Sequence, residues 1–248
     1  MTSVDPALVQ GVDLLCLDAG NCVIFLDHAR LARLCGDAGF SVDVATLVRA
    51  EGEAKLAHEM GELTEVAWSE RHLPGARGWG DMVGTILHRA GFPLESLPPF
   101  LAATWVEHVA MNTYSVVPDG FDAAMDRVRA AGVKVAIVSN SEGMLERLFR
   151  DLAILRHFDL VVDSGLVGVT KPDPRIFEIA LERFGIGADR ALMLGDTYAT
   201  DIVGARAAKM RAALVDPFGH MAGRHGDVPR VPGVVEVADA IAIASAHA

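Results

Sequence analysis

Nowhere in this 248-residue chain is there an apolar run of about 18 residues, so no segment reads as a helix that spans a bilayer. The stretch Met1–Gln10 lacks a basic segment followed by an apolar one, which argues against a secretory signal. Cysteine is scarce: Cys16, Cys22 and Cys35 make an odd number that builds no disulfide framework. With no signal, that scarcity points to the reducing cytoplasm. Positive charge is in deficit, with 22 Lys and Arg against 33 Asp and Glu and a formal net charge of −11. Such a balance repels nucleic acid and anionic membranes and excludes both as expected partners. It also disfavours an anionic small molecule unless a local lysine or a metal overcomes the global field. Internal repeats, low-complexity tracts and long linkers are missing as well.

What is present is apolar material: 51% of residues are hydrophobic and 22% charged, enough for one large domain or a core with a smaller second unit. The stretch Val12–Leu17 is a short apolar run that stops at Asp18-Ala19-Gly20. A buried parallel strand delivers a reactive carboxylate to a sheet edge in this way, although a turn capped by Asp18 would read the same. Residues 22–112 then read as helical. The spacing predicts helices over Asp27–Gly39, Asp43–Met60, Leu63–Arg71 (capped by Thr64), Met82–Gly91 and Phe100–Met111, with loops at Pro74–Gly80 and Pro93–Pro99. Beyond them the pattern alternates. Helices are predicted over Phe121–Ala131, Met144–Asp151, Pro174–Phe184 and Thr200–Lys209, and strands over Val133–Val138, Leu160–Val162, Ala191–Leu194 and Ala212–Val215. Val234 and Val235 read as an edge strand before a last helix, Ala238–Ser245. Alternation of this kind implies an α/β fold, a parallel sheet with helices on both faces, whose ligands gather at the carboxyl ends of the strands. Three of those ends carry polar residues: Asp18, then Ser139 and Asn140, then Asp196.

Taken singly, each of these has a plain structural role. Ser139 would cap a helix, Lys171 would be a loop lysine, and Asp196 and Asp201 would solvate a turn. Taken in order, four segments resemble the haloacid dehalogenase-like hydrolase superfamily. Its first motif, Asp-x-Asp-x-Thr-Leu/Val, stands here as Asp18-Ala19-Gly20-Asn21-Cys22-Val23; its second as Ser139 followed by Asn140; its third as the lysine of Thr170-Lys171-Pro172-Asp173; its fourth as Gly195-Asp196-Thr197 through Asp201. The resemblance implies a Rossmann-like core, residues 1–21 and 113–248, with a helical cap, residues 22–112, inserted after the first strand. It implies hydrolysis of a small phosphorylated metabolite, with Asp18 attacking phosphorus to form an aspartyl phosphate. Mg²⁺ would be held by the Asp18 carboxylate, the Gly20 carbonyl and Asp196, with Asp201 holding a coordinated water or acting as a further ligand. Ser139 and the Asn140 amide would donate to the phosphate, and Lys171 would neutralise the shared charge. The protein would act alone or as a homodimer.

Two departures follow. Gly20 stands where family phosphatases have a second Asp, the general acid and base, a function typically worth ~10²–10⁴ in rate; Cys22 stands where they have Thr. Replacements for the acid would come from the cap: Asp27, His28, Lys55 or His58. The pair Lys55 and His58, three apart on one helix, also echoes the phosphonoacetaldehyde hydrolase branch, which lacks the second Asp and forms a Schiff base. A third reading is a weakened member that binds a phosphorylated ligand without turnover. Halide removal fits less well, because dehalogenases of the superfamily need no metal, usually lack the Gly-Asp form of the fourth motif and carry an aromatic residue where Gly20 stands. Elsewhere, His220 and His225 lie in a Gly-rich tail without an acidic or cysteine partner at ligand spacing, Trp68, Trp79 and Trp105 read as cap packing, and Cys22 as a small hydrophobe.

Overall fold

A computed structural model describes residues 4–246. Residues 1–11 read in the sequence as a loose start; of these Met1–Ser3 lie outside the described residues, as do residues 247–248. The rest of that start is ordered. The Asp5 carboxylate accepts the Ala7 N–H at 2.9 Å and Pro6 opens a single helical turn, α1 (Pro6–Val9).

In chain order the elements that follow are β1 (Leu14–Leu17), β2 (Phe25–Leu26), α2 (His28–Asp37), α3 (Val44–Met60), α4 (Ala76–Arg89), α5 (Leu97–Ala110), β3 (Tyr114–Val116), α6 (Phe121–Ala130), β4 (Lys134–Ser139), α7 (Leu145–Asp151), β5 (Leu160–Asp163), α8 (Ser164–Val167), α9 (Arg175–Phe184), β6 (Ala191–Gly195), α10 (Val203–Ala207), β7 (Arg211–Val215), β8 (Arg230–Val231) and α11 (Val234–Ala246). Six strands form one parallel sheet in the order β5-β4-β1-β6-β7-β8, flanked by helices; β2 and β3 pair separately. The fold is thus the Rossmann-like α/β architecture expected from the alternation. Strand β1 lies at the centre, and all four of its residues are buried. Burial of each leucine there contributes about 2 kcal/mol. Leu17 pairs with Ile137 on one side and Leu194 on the other. The three polar strand ends are therefore brought to the same edge of the sheet.

The chain divides into two compact units. One comprises residues 1–25, 116–217 and 223–248 and holds the six-stranded sheet; the other comprises residues 26–115 and 218–222. These boundaries differ by a few residues from 1–21/113–248 and 22–112, and residues 218–222 group with the helical unit. That unit has its own core, in which Leu31, Leu47, Ile86, Leu87, Leu97 and Leu101 are fully buried. The three tryptophans pack there as mutually tilted rings with centroids 5.3–5.9 Å apart. Trp79 donates from Nε1 to Thr113 Oγ1 at 3.0 Å.

The expected elements differ in several places, three of which bear on packing. The stretch Leu63–Arg71 is not helical: Thr64, instead of capping a helix, donates its backbone N–H to Thr85 Oγ1 at 2.8 Å. Helix α4 begins at Ala76, inside the expected loop, because Gly75 takes the left-handed conformation (φ 75°) that starts it. Gly80 is then a packing residue rather than a turn residue, since a Cβ on it would lie 2.6 Å from Trp68 Nε1. Finally, Val234 and Val235 open α11, and the edge strand is Arg230–Val231. Among the described residues no helix is long and apolar enough to cross a membrane.

Candidate active site

The site is built at the carboxyl edge of the parallel sheet, wholly within the sheet-bearing unit. The Asp18 N–H donates to the Leu194 carbonyl at 2.9 Å, extending the β1–β6 pairing by one residue and fixing Asp18 at the sheet edge. Behind it the chain turns tightly. The N–H groups of Val23 and Ile24 both donate to the Ala19 carbonyl at 2.9 Å, the Asn21 N–H donates to the Ile24 carbonyl at 2.8 Å, and Gly20 bridges to Ile24.

Lys171 bridges two of the acidic residues. Its Nζ lies 2.6 Å from Asp18 Oδ1 and 2.5 Å from Asp201 Oδ1, and all three side chains are largely buried. Asp18, Asp196 and Asp201 each offer a carboxylate oxygen, and these oxygens lie within 4.8 Å of one another. Asp201 is anchored by the Thr197 N–H, which donates to Oδ2 at 2.9 Å. Asp196 accepts from Thr197 Oγ1 at 3.3 Å and from Asn21 Nδ2 at 3.1 Å. Ser139 is buried at the end of β4, paired in register with Asp163 of β5.

Every residue singled out from the four motifs thus falls in this one region. Asp27 and His28 of the helical unit have partners within that unit. Asp27 caps α2 by accepting the Arg30 N–H at 2.8 Å. His28 Nε2 lies 2.6 Å from the buried Glu51 carboxylate, and Lys55 is buried on α3. His220 and His225 fall in different units, and the His225 ring stacks on Tyr198 with centroids 3.8 Å apart.

The sequence reading missed three contributions. The Asn140 side chain binds the backbone of Lys171 at both its N–H and its carbonyl. Asp163 is buried and accepts the backbone N–H groups of Gly143 and Gly165 at 2.9 and 3.0 Å, fixing the loop after Ser139. The third is the Asn21 carboxamide. Asn and Asp beside a turn or at a strand end look like turn chemistry until their partners are known.

The electrostatics follow from this crowding. Burial alone would lower the Lys171 pKa, but the adjacent Asp18 and Asp201 carboxylates more than offset it and hold the ammonium above the ordinary lysine value. Burial also pushes Asp201 up, against the pull of Lys171 and with the repulsion of Asp18 and Asp196. The Cys22 thiol is raised first by burial and then by Asp196, Asp18 and Asp201, so it stays a neutral thiol and packs as a hydrophobe. Three carboxylates to one ammonium leave excess negative charge in a dry place. Hard oxygen donors of this kind suit a divalent cation such as Mg²⁺.

Comparison with known proteins gives the family. A family model for haloacid dehalogenase-like hydrolases matches residues 28–209. The chain is 30% identical over 186 residues to haloacid dehalogenase-like hydrolase domain-containing protein 3 of Bos taurus, covering 70% of this chain and 74% of that protein. It is 38% identical over 161 residues to a phosphoserine phosphatase of Thermus thermophilus, covering 61% of this chain and 63% of the relative, so it spans less than two thirds of that protein's length. Among solved structures it resembles the HAD-hydrolase YfnB of Bacillus subtilis, with a TM-score of 0.62 and 18% identity over 93% of this chain and 98% of the other, a likeness of fold. With the four motifs gathered at one sheet edge and the family model matched over most of the chain, the protein belongs to the haloacid dehalogenase-like hydrolases.

Proposed function

We propose that the protein is a Mg²⁺-dependent phosphatase acting on a small phosphorylated metabolite, with Asp18 as the nucleophile and the helical unit as a cap that selects the substrate. The observation that carries this reading is the clustering of Asp18, Asp196 and Asp201 at the edge of the sheet, two of them paired with Lys171. The phosphatase name of the Thermus relative supports the choice of phosphorus as the centre attacked.

The donor set fits the metal. Asp18, the Gly20 carbonyl and Asp196 would hold it, with Asp201 beside them; when bound, it neutralises the repulsion between a carboxylate and a phosphate. The remaining roles fall to the chain itself. One Asp18 oxygen attacks phosphorus as the bond to the leaving oxygen breaks, giving an aspartyl phosphate that water then hydrolyses. Lys171, kept charged by its neighbours, compensates charge shared by Asp18 and the phosphoryl oxygens. Ser139 and the Asn140 amide donate to those oxygens. Gly20 supplies no proton, so the leaving oxygen takes its proton from water or from a residue of the cap. The reaction is expected to run in the cytoplasm.

The test is turnover of p-nitrophenyl phosphate and a panel of phosphate esters and phosphonates, with Mg²⁺ or EDTA, beside Asp18→Asn. Turnover that needs Mg²⁺ and is lost in the variant is expected. No turnover above the variant would overturn the phosphatase reading. Cleavage confined to phosphonates, with borohydride trapping on Lys55, would replace it by the Schiff-base route.

A further inference from the structure

None of the roles above uses the side chain of Asn21, yet it is 2% exposed and its surroundings are specific. The backbone there is left-handed, φ 54°, a conformation that asparagine tolerates better than most residues with a Cβ. The N–H bond to Ile24 and the Gly20–Ile24 bridge hold the main chain on both sides of it. The carboxamide then reaches Asp196, 175 residues away in sequence, with Nδ2 donating to Oδ2 at 3.1 Å. A carboxylate only accepts, so the amide nitrogen must face Asp196 and Oδ1 must point away from it. That Oδ1 is buried and has no hydrogen-bond partner among the described residues. A buried acceptor left open on an amide that binds one of the three clustered carboxylates is placed to take a donor that arrives with a ligand.

We propose that Asn21 is a positioning residue of the metal site: Nδ2 fixes the Asp196 carboxylate, and Oδ1 accepts a hydrogen bond from a water carried by the Mg²⁺. The inference rests on the metal-dependent reading of the site. Outer residues that orient ligands in this way typically change metal affinity by ~10–100-fold. The Thr197 hydroxyl also holds Asp196, so the lower part of that range is expected.

The experiment is calorimetric titration of Mg²⁺ into the full chain and into Asn21→Gly, which accepts the positive φ without strain and removes the carboxamide with its Cβ. Melting in EDTA checks the fold, and Asn21→Ser carries the same comparison if the glycine variant fails to fold. The expected result is a Mg²⁺ Kd raised about tenfold or more, with the melting temperature in EDTA shifted by no more than about 4 °C. Where p-nitrophenyl phosphate is turned over, the Mg²⁺ concentration for half-activation should rise by the same factor and kcat at saturating Mg²⁺ should recover. A variant Kd within about twofold of the parent would overturn the role of Asn21 and leave the metal site standing. A parent that binds no Mg²⁺ would overturn both.

Discussion

Asn140 holds the main chain of Lys171 at both ends of its own side chain: Oδ1 accepts the Lys171 N–H at 2.8 Å, and Nδ2 donates to the Lys171 carbonyl at 3.1 Å. Lys171 lies on a loop with no strand pairing of its own, so these two bonds take the place of a sheet ladder. They tie the lysine to the end of β4, whose place beside β1 is set by register. The residue that positions Lys171 is therefore the neighbour of Ser139.

Asn140→Ala should accordingly impair catalysis more than folding. Two hydrogen bonds of ordinary strength are lost, about 1 kcal/mol each. A lysine displaced by even ~1 Å from its charge partners can cost ~10² in rate. We expect kcat/KM on the best ester of the panel to fall about 10–100-fold, with urea unfolding shifted by about 2 kcal/mol. Loss of stability without loss of rate would mean that the clamp serves the loop and not the lysine.

Gly20 offers a gain-of-function test. Its backbone is not left-handed, and a Cβ built on it meets no heavy atom within 4 Å. The missing side chain is thus not excluded by space or by strain. Gly20→Asp should fold and should place a proton donor two residues after Asp18, the spacing of the family motif. General acid–base catalysis is typically worth ~10²–10⁴, so a rise in kcat of at least about tenfold is expected on esters with poor leaving groups. Esters with good leaving groups, such as p-nitrophenyl phosphate, should gain little, because their oxygen needs less protonation. Equal gains on both, or none on either, would mean that the missing acid does not limit the rate.

What the sequence made legible was set by regular burial. The runs that became β1, β4 and β6 are buried along almost their whole length, and a parallel strand covered on both faces reads as a continuous apolar run. Asp18, Ser139 and Asp196 were visible because each ends such a run. Asn21 was not, since an asparagine after glycine reads as turn chemistry and its partner lies 175 residues away. The stretch Leu63–Arg71 failed for a related reason. Its apolar residues suggested a helix, but Val66 and Trp68 pack against Gly84 and Gly80 of α4, and long-range packing overrode local propensity. The same contact explains the helical Gly80, which had looked like part of a loop.

The glycine of Gly195-Asp196 gives the sharpest test of how the carboxylates are held. A Cβ at Gly195 would lie 2.2 Å from Asp201 Cγ and 2.4 Å from its Oδ2. The backbone of Gly195 is not left-handed, so alanine is excluded by its nearest neighbours, all atoms of Asp201, and not by conformation. Gly195→Ala should therefore push Asp201 off both Lys171 and the Thr197 N–H, its two anchors. Breaking a buried ion pair from one side typically costs ~3–5 kcal/mol, and urea unfolding in EDTA should show a loss of about that size. Turnover should fall at least about 100-fold, because the residue displaced is part of the acidic cluster. A double-mutant cycle isolates the cause. If the glycine serves only to admit Asp201, Asp201→Gly, which also removes the Cβ that would lie 2.3 Å from the new methyl group, should be damaging by itself, and adding Gly195→Ala to it should cost almost nothing more. Additive losses in stability and rate would show instead that Gly195 is required by the strand, and that the close approach of Asp201 is incidental.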